Sequence, residues 1–296
     1  MNKTVLSAIV ASSLLLGNVY GAQSKTKSVQ EINTIAVEKG QKDAVASQKK
    51  LIQEAIASLD FTQEALENLS KNDVKKAKEN IEKALGKLEV ILSAEDAPKL
   101  LPIESAVAVH EYIGTNDDIN KAVDEVKVLL KKGKVQAARL LLNTLQSEID
   151  VTVVSLPLVS YPDALKLAAK YLHDGKTNKA QGILQIALST FDTTVDVIPL
   201  PLLKASDLII ASSDLSAQGE KEKALRYLKS ARDELKIAET LGYVSRSDNS
   251  YEVLYDTIKA VKKEIEGKNR AEKLFDSLKA KLKDFKEKIF SQEPGK

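Results

Sequence analysis

The sequence predicts an all-α protein of bundled or stacked helical hairpins, joined by Pro-containing extended connectors with room for very short strands. Three observations carry that prediction. Strong helix formers (Ala, Leu, Lys and Glu) dominate the 296 residues, while aromatics are 4% and Trp is absent. Apolar residues recur at helical spacing in paired segments separated by short polar turns. Apolar stretches containing Pro separate the pairs. A composition of 43% hydrophobic and 29% charged residues fits a folded globular chain. A chain of this length buries roughly 75% of its unfolded surface, so its core needs no staples.

The first 22 residues read as a cleaved secretory signal: Lys3 in a basic start, an apolar run from Thr4 to Leu16, then Gly17, Gly21 and Ala22. The run falls short of the roughly 20 residues of a spanning helix. No Cys follows it, which excludes a lipoprotein anchor, and the expected location is the periplasm. Removing Lys3 leaves 43 basic residues against 42 acidic ones, a net charge of +1 that is no lure for nucleic acid. The absence of Cys suits an oxidising compartment. The remainder divides into a helical domain over 23–245 and a C-terminal helical extension over 246–296 that packs on it.

Residues 23–28 are polar and read as a loose terminus. A helical region follows, with Val45, Leu51, Ile52, Ala55, Ile56 and Leu59 in phase and Gly40 expected to interrupt or bend its start. Four hairpin units come next. Each ends one helix at Asn72, Gly133, Gly175 or Gly219, residue types that tolerate a left-handed backbone. Each opens the next helix with a small residue, Ala77, Ala138, Ala180 or Ala224, followed by apolar positions along one face. Such hairpins bury their apolar faces only by stacking or bundling.

The connectors are Leu100–Ala106, Val151–Leu158 and Val195–Leu208. Their β-branched residues allow short strands that pair side by side, or irregular chain packed between helices; the sequence leaves both open. Pro157, Pro199 and Pro201 impose extended backbone on the residues before them. Pro162-Asp163 and Ser206-Asp207 read as helix openings. Residues 245–251 form a polar break. Ala271, Phe275, Leu278, Leu282, Phe285 and Ile289 then trace a heptad stripe, expected to pack within the molecule, with self-assembly as the alternative.

Chemistry is sparse. The two His, His110 and His173, have no ligand spacing, and no Gly-rich phosphate loop, nucleophile elbow or Cys exists. We therefore expect no catalytic residues, no metal and no cofactor. Asp192 and Asp196 would share a helix face if the helix before them extends that far, but acids at this spacing are common in so charged a chain. The residues offered for interaction are Tyr161, Tyr171, His173, Pro157, Pro199 and Pro201. Tyr supplies a rigid apolar body with a polar tip, and Tyr227 belongs to the same group. His173, at a helix end, could sense pH.

Leu156-Pro157-Leu158 and Ile198-Pro199-Leu200-Pro201-Leu202, each after a helical hairpin and behind a signal segment, resemble the YfdX family of exported, mainly helical bacterial proteins. The resemblance is clearest over Asp150–Ser212 and extends to about 30–245. It implies a periplasmic helical protein linked to acid and multidrug stress, with no enzyme activity established. The expected function is thus non-enzymatic binding of a protein or an amphipathic small molecule. The alternative is a self-assembling scaffold of the envelope, with homo-oligomers as its product.

Overall fold

The computed structural model describes residues 27–47, 52–245, 249–267, 276–281, 283 and 284. The signal segment and most of the heptad stripe lie outside these residues. Among the described residues, helices and strands follow in the order α1 (Val29–Ser47), α2 (Gln53–Ser70), α3 (Val74–Leu92), β1 (Leu100–His110), α4 (Asn116–Lys131), α5 (Val135–Asn143), β2 (Glu148–Pro157), α6 (Tyr161–His173), α7 (Thr177–Ala187), β3 (Asp192–Pro199), α8 (Leu200–Ala217), α9 (Lys221–Thr240) and α10 (Asn249–Glu266). A further helical stretch covers 276–281.

The chain is mostly helical, but the all-α expectation is corrected. The three connectors are strands of 11, 10 and 8 residues that form one antiparallel sheet in the order β1-β2-β3. Their β-branched runs find each other across the intervening helix pairs, which satisfies backbone groups that irregular buried chain would leave unpaired. The prolines sit where a ladder tolerates them. Pro102 lies at the register shift of edge strand β1, and Pro157 and Pro199 close β2 and β3.

Turn chemistry follows the sequence. Asn72, Gly133, Gly175 and Gly219 all have positive φ, from 61° to 80°. At each, the next residue donates its N–H to the carbonyl five positions back, as in Asp73 to Asn68 and Lys134 to Leu129. This Schellman geometry absorbs orphan carbonyls at the helix end. Helices α2 and α3, α4 and α5, α6 and α7, and α8 and α9 pack pairwise across these turns.

Two apolar cores flank the sheet. One joins α2, α3, α6 and α7 through Ile81, Leu88, Leu165 and Leu184, with Leu101 and Leu156 reaching in from the strands. The other joins α1, α8, α9 and α10 through Ile32, Leu208, Leu228 and Ile258, and Leu278 is buried within it. Between them Ile149, Val151 and Ile198 of the sheet meet Ala44, Leu200 and Leu203.

Three further expectations are corrected. Gly40 does not interrupt a helix; it lies inside α1, and a Cβ there would stand 2.3 Å from Leu203 Cδ1 and 3.1 Å from Ile149 Cδ1. The glycine permits close approach of α1 to α8 and the sheet. Ser206 and Asp207 are not a helix opening: Pro199 caps α8 and Pro201 sits in its first turn, so the helix starts earlier. Within the polar break, residues 249–251 already belong to α10, and Tyr251 is buried.

Gly40→Val should lower unfolding stability by about 1–3 kcal/mol through overpacking. Urea unfolding measures this; an unchanged midpoint would mean that α1 does not hold this close contact.

Candidate functional site

Helix α8 is apolar on nearly every side and buries 12 of its 18 residues, which makes it the central helix of its half. Its least buried edge, exposed Ile210 and half-buried Ala211, lies beside α1. The two helices frame an open groove of about 470 Å³. Ile32, Ile35, Ile210, Ala211 and Leu215 supply its apolar lining, with Tyr227 from α9. Lys27, Lys39, Asp207, Asp214 and Gln218 add polar groups of both charges. Ile35 and Ile210 are each 37% exposed, so the apolar wall meets solvent. The Tyr227 hydroxyl donates to the Lys27 carbonyl and ties the start of α1 to α9. Lys279 reaches Asp214 at 3.5 Å from the C-terminal helical stretch.

A polar cluster joins the same helices on another side. The buried Lys204 ammonium of α8 lies 2.8 Å from a carboxylate oxygen of Glu111. Asn33 of α1 donates its amide to Glu234 of α9 at 3.2 Å, while the Asn33 carbonyl oxygen is buried without a donor among the described residues. Burial pushes Glu234 up to about 7, with Glu111 and Asp233 adding to the rise and Lys204 and Asn33 opposing it. Glu234 also borders a second cavity of about 420 Å³, lined in part by Gly114, Asp117 and Lys236.

A third set of polar groups gathers at the start of β2. Asp150 is raised by burial and by Glu148, against the pull of His110, whose Nε2 stands 3.7 Å from Asp150 Oδ2. The Tyr243 hydroxyl accepts from the Ser147 N–H at 2.9 Å. Burial and its bond to Glu148 raise the Tyr243 hydroxyl. Among the described residues no group of three or more His, Asp or Glu is placed to hold a metal ion.

The sequence-predicted interaction residues are dispersed. Tyr161 is buried in the α2–α6 core, its hydroxyl beside Thr62 without a well-formed hydrogen bond, and burial pushes it up to about 12. Tyr171 is half-buried, with the Lys179 ammonium 5.9 Å from its ring centre. His173 is exposed in the last turn of α6. Pro157 ends β2, and Pro199 and Pro201 are buried at the β3–α8 junction. None of the six lines the α1–α8 groove, whereas Tyr227 does. Asp192 and Asp196 do not share a helix face, because both stand on β3. Sequence reasoning missed Lys204, Glu234 and Asn33. The legible signal was Lys204 itself, a lone cation in the apolar run Leu200–Leu208.

The family model described as YfdX protein matches residues 58–197. Over this segment the chain is similar to the YfdX family. The segment holds α3 to α7 and all of β1 and β2, and it ends within β3. The solved structure of Salmonella Typhi YfdX is similar at 16% identity, covering 52% of this chain and 95% of that one, with a TM-score of 0.37. No curated protein matches the chain. The α1–α8 groove and the Lys204 cluster draw most of their residues from outside the YfdX segment.

Glu234 sets a pH dependence whose sign is fixed. Its folded value lies above that of a free carboxyl, 4.5, so the folded state holds the proton more tightly. The resulting stability is full below about 4.5 and is lost as pH rises through about 7. Glu234→Gln should gain about 1–3 kcal/mol over the parent at pH 8 and match it at pH 4.5. Denaturant melts at the two pH values test this; parallel behaviour of both proteins would rule it out.

Proposed function

We propose that this protein acts by binding rather than by catalysis, and that the α1–α8 groove takes an amphipathic small molecule. The apolar wall of exposed Ile35 and Ile210 and half-buried Ala211, flanked by Lys39 and Asp214, carries this reading. A preformed, mostly apolar concavity with a few polar groups suits such ligands. The signal-like start and the YfdX match support a periplasmic, stress-associated setting. The similar left-handed turns at Asn72, Gly133, Gly175 and Gly219 support reading the four helix pairs as copies of one unit. Among the described residues no helix is long and apolar enough to cross a membrane.

The dye 1-anilinonaphthalene-8-sulfonate, an apolar body with one charge, serves as the probe. It should bind saturably, and Ala211→Trp, which fills the groove, should weaken binding at least tenfold. Equal binding by the variant, or none by the parent, would refute the groove as the site.

A second reading, self-assembly, draws on β3. It is an edge strand with Val195 50% and Val197 42% exposed, an arrangement that invites pairing between chains. Light scattering should then show an oligomer that Val195→Lys dissociates; a monomeric parent removes this reading.

A further inference from the structure

We propose that the α4–α5 hairpin is a docking surface for an anionic membrane. The hairpin packs chiefly on α9 and buries little of itself: Ile119 and Val126 in α4, and Ala138 in α5. It leaves Leu140 70%, Val135 57% and Leu130 49% exposed, with Val128 and Leu142 close behind. This apolar surface has no partner among the described residues.

The base of α4 carries Asp117, Asp118, Asp124 and Glu125, but the distal half of the hairpin is one-sided in charge. From Val126 to Ser147 the chain carries Lys127, Lys131, Lys132, Lys134 and Arg139, and no acid. Lys127 is neutralised by Asp124 at 2.8 Å. The other four form no ion pair among the described residues. Gly133, at φ 69°, turns the chain sharply enough to set Lys131, Lys132 and Lys134 at the tip beside Leu130 and Val135.

Two features must be explained together. An acidic protein or a nucleic acid would engage the cations and leave the leucines idle. A bilayer with anionic headgroups uses both, because apolar side chains enter the acyl boundary while Lys and Arg stay at headgroup level. An ordinary solvated face would mix charges of both signs, as the first turns of α4 do with Asp117, Asp118 and Lys121. The attachment is peripheral and does not depend on what fills the α1–α8 groove.

The test is co-sedimentation of the full chain with vesicles of phosphatidylglycerol and phosphatidylethanolamine, and with vesicles of phosphatidylcholine alone. Binding is expected to the anionic vesicles only and to weaken with salt. The triple change K131E, K132E and K134E should reduce it at least about tenfold, since each cation near the surface contributes separately. Leu140→Asp should also reduce it. All four positions are exposed, so melting temperatures should match the parent, and neutral K131Q, K132Q and K134Q serve if the reversals unfold. The proposal fails if the parent ignores anionic vesicles or if the hairpin variants bind like the parent. It also fails if removing the charges of Lys279, Lys281, Lys283, Lys286 and Lys288 alone abolishes binding, or if polyglutamate is bound and vesicles are not.

Discussion

The arrangement depends on β2 being paired on both edges. Its residues Glu148 to Pro157 bond to β1 on one side, and Glu148 to Ser155 bond to β3 on the other. Each partner strand is separated from β2 in sequence by a helix pair, so pairing gathers α4–α5 and α6–α7 about one sheet. The alternating side chains Ile149, Val151 and Val153 are buried, and a slip of one residue would expose all three. Register therefore couples to burial. The ladder reaches into α8 as well, because Leu200 donates its N–H to the Ser147 carbonyl.

From that junction the second half of the molecule follows. Pro199 and Pro201 leave the sheet and start a helix at once, so α8 is held against the strands at its first turn. Gly40 lets α1 settle on Leu203 of that turn and on Ile149 of β2. The groove is the consequence: α1 and α8 meet closely at Gly40 and Leu203, and open where Ile35 faces Ile210. The Lys204–Glu111 pair adds a polar tie. With Lys204 buried and Glu111 partly exposed, the pair adds little net stability, yet removing Glu111 would strand a buried ammonium, so it favours one docking of these elements over others.

Much of the local structure was legible in the residues. Asn72, Gly133, Gly175 and Gly219 mark helix ends because a left-handed residue closes a helix most cheaply as Gly or Asn. The amphipathic spacing of Ala77, Ile81, Ala84 and Leu88 places the buried face of α3 directly. The candidate site was less legible. Tyr227 could be suspected from its type, but Ile35, Ile210 and Asp214 are ordinary helix residues until α1 lies on α8. Tyr161 and the prolines are distinctive in the sequence and went to packing and strand ends.

The connector Val195–Leu208 shows where the division falls. By itself the sequence determined that this stretch is apolar, that prolines break it, and that helical segments flank it, since composition and φ restriction are local properties. The same holds for the helix content, the turns and the YfdX resemblance. Only tertiary structure decided that its first half is an edge strand and its second half a central helix. Strand pairing depends on Val151 and Thr152, more than 40 positions away, and no local pattern records which distant segment supplies the hydrogen bonds. The groove, the raised Glu234 carboxyl and the uncovered α4–α5 hairpin are products of the same long-range packing.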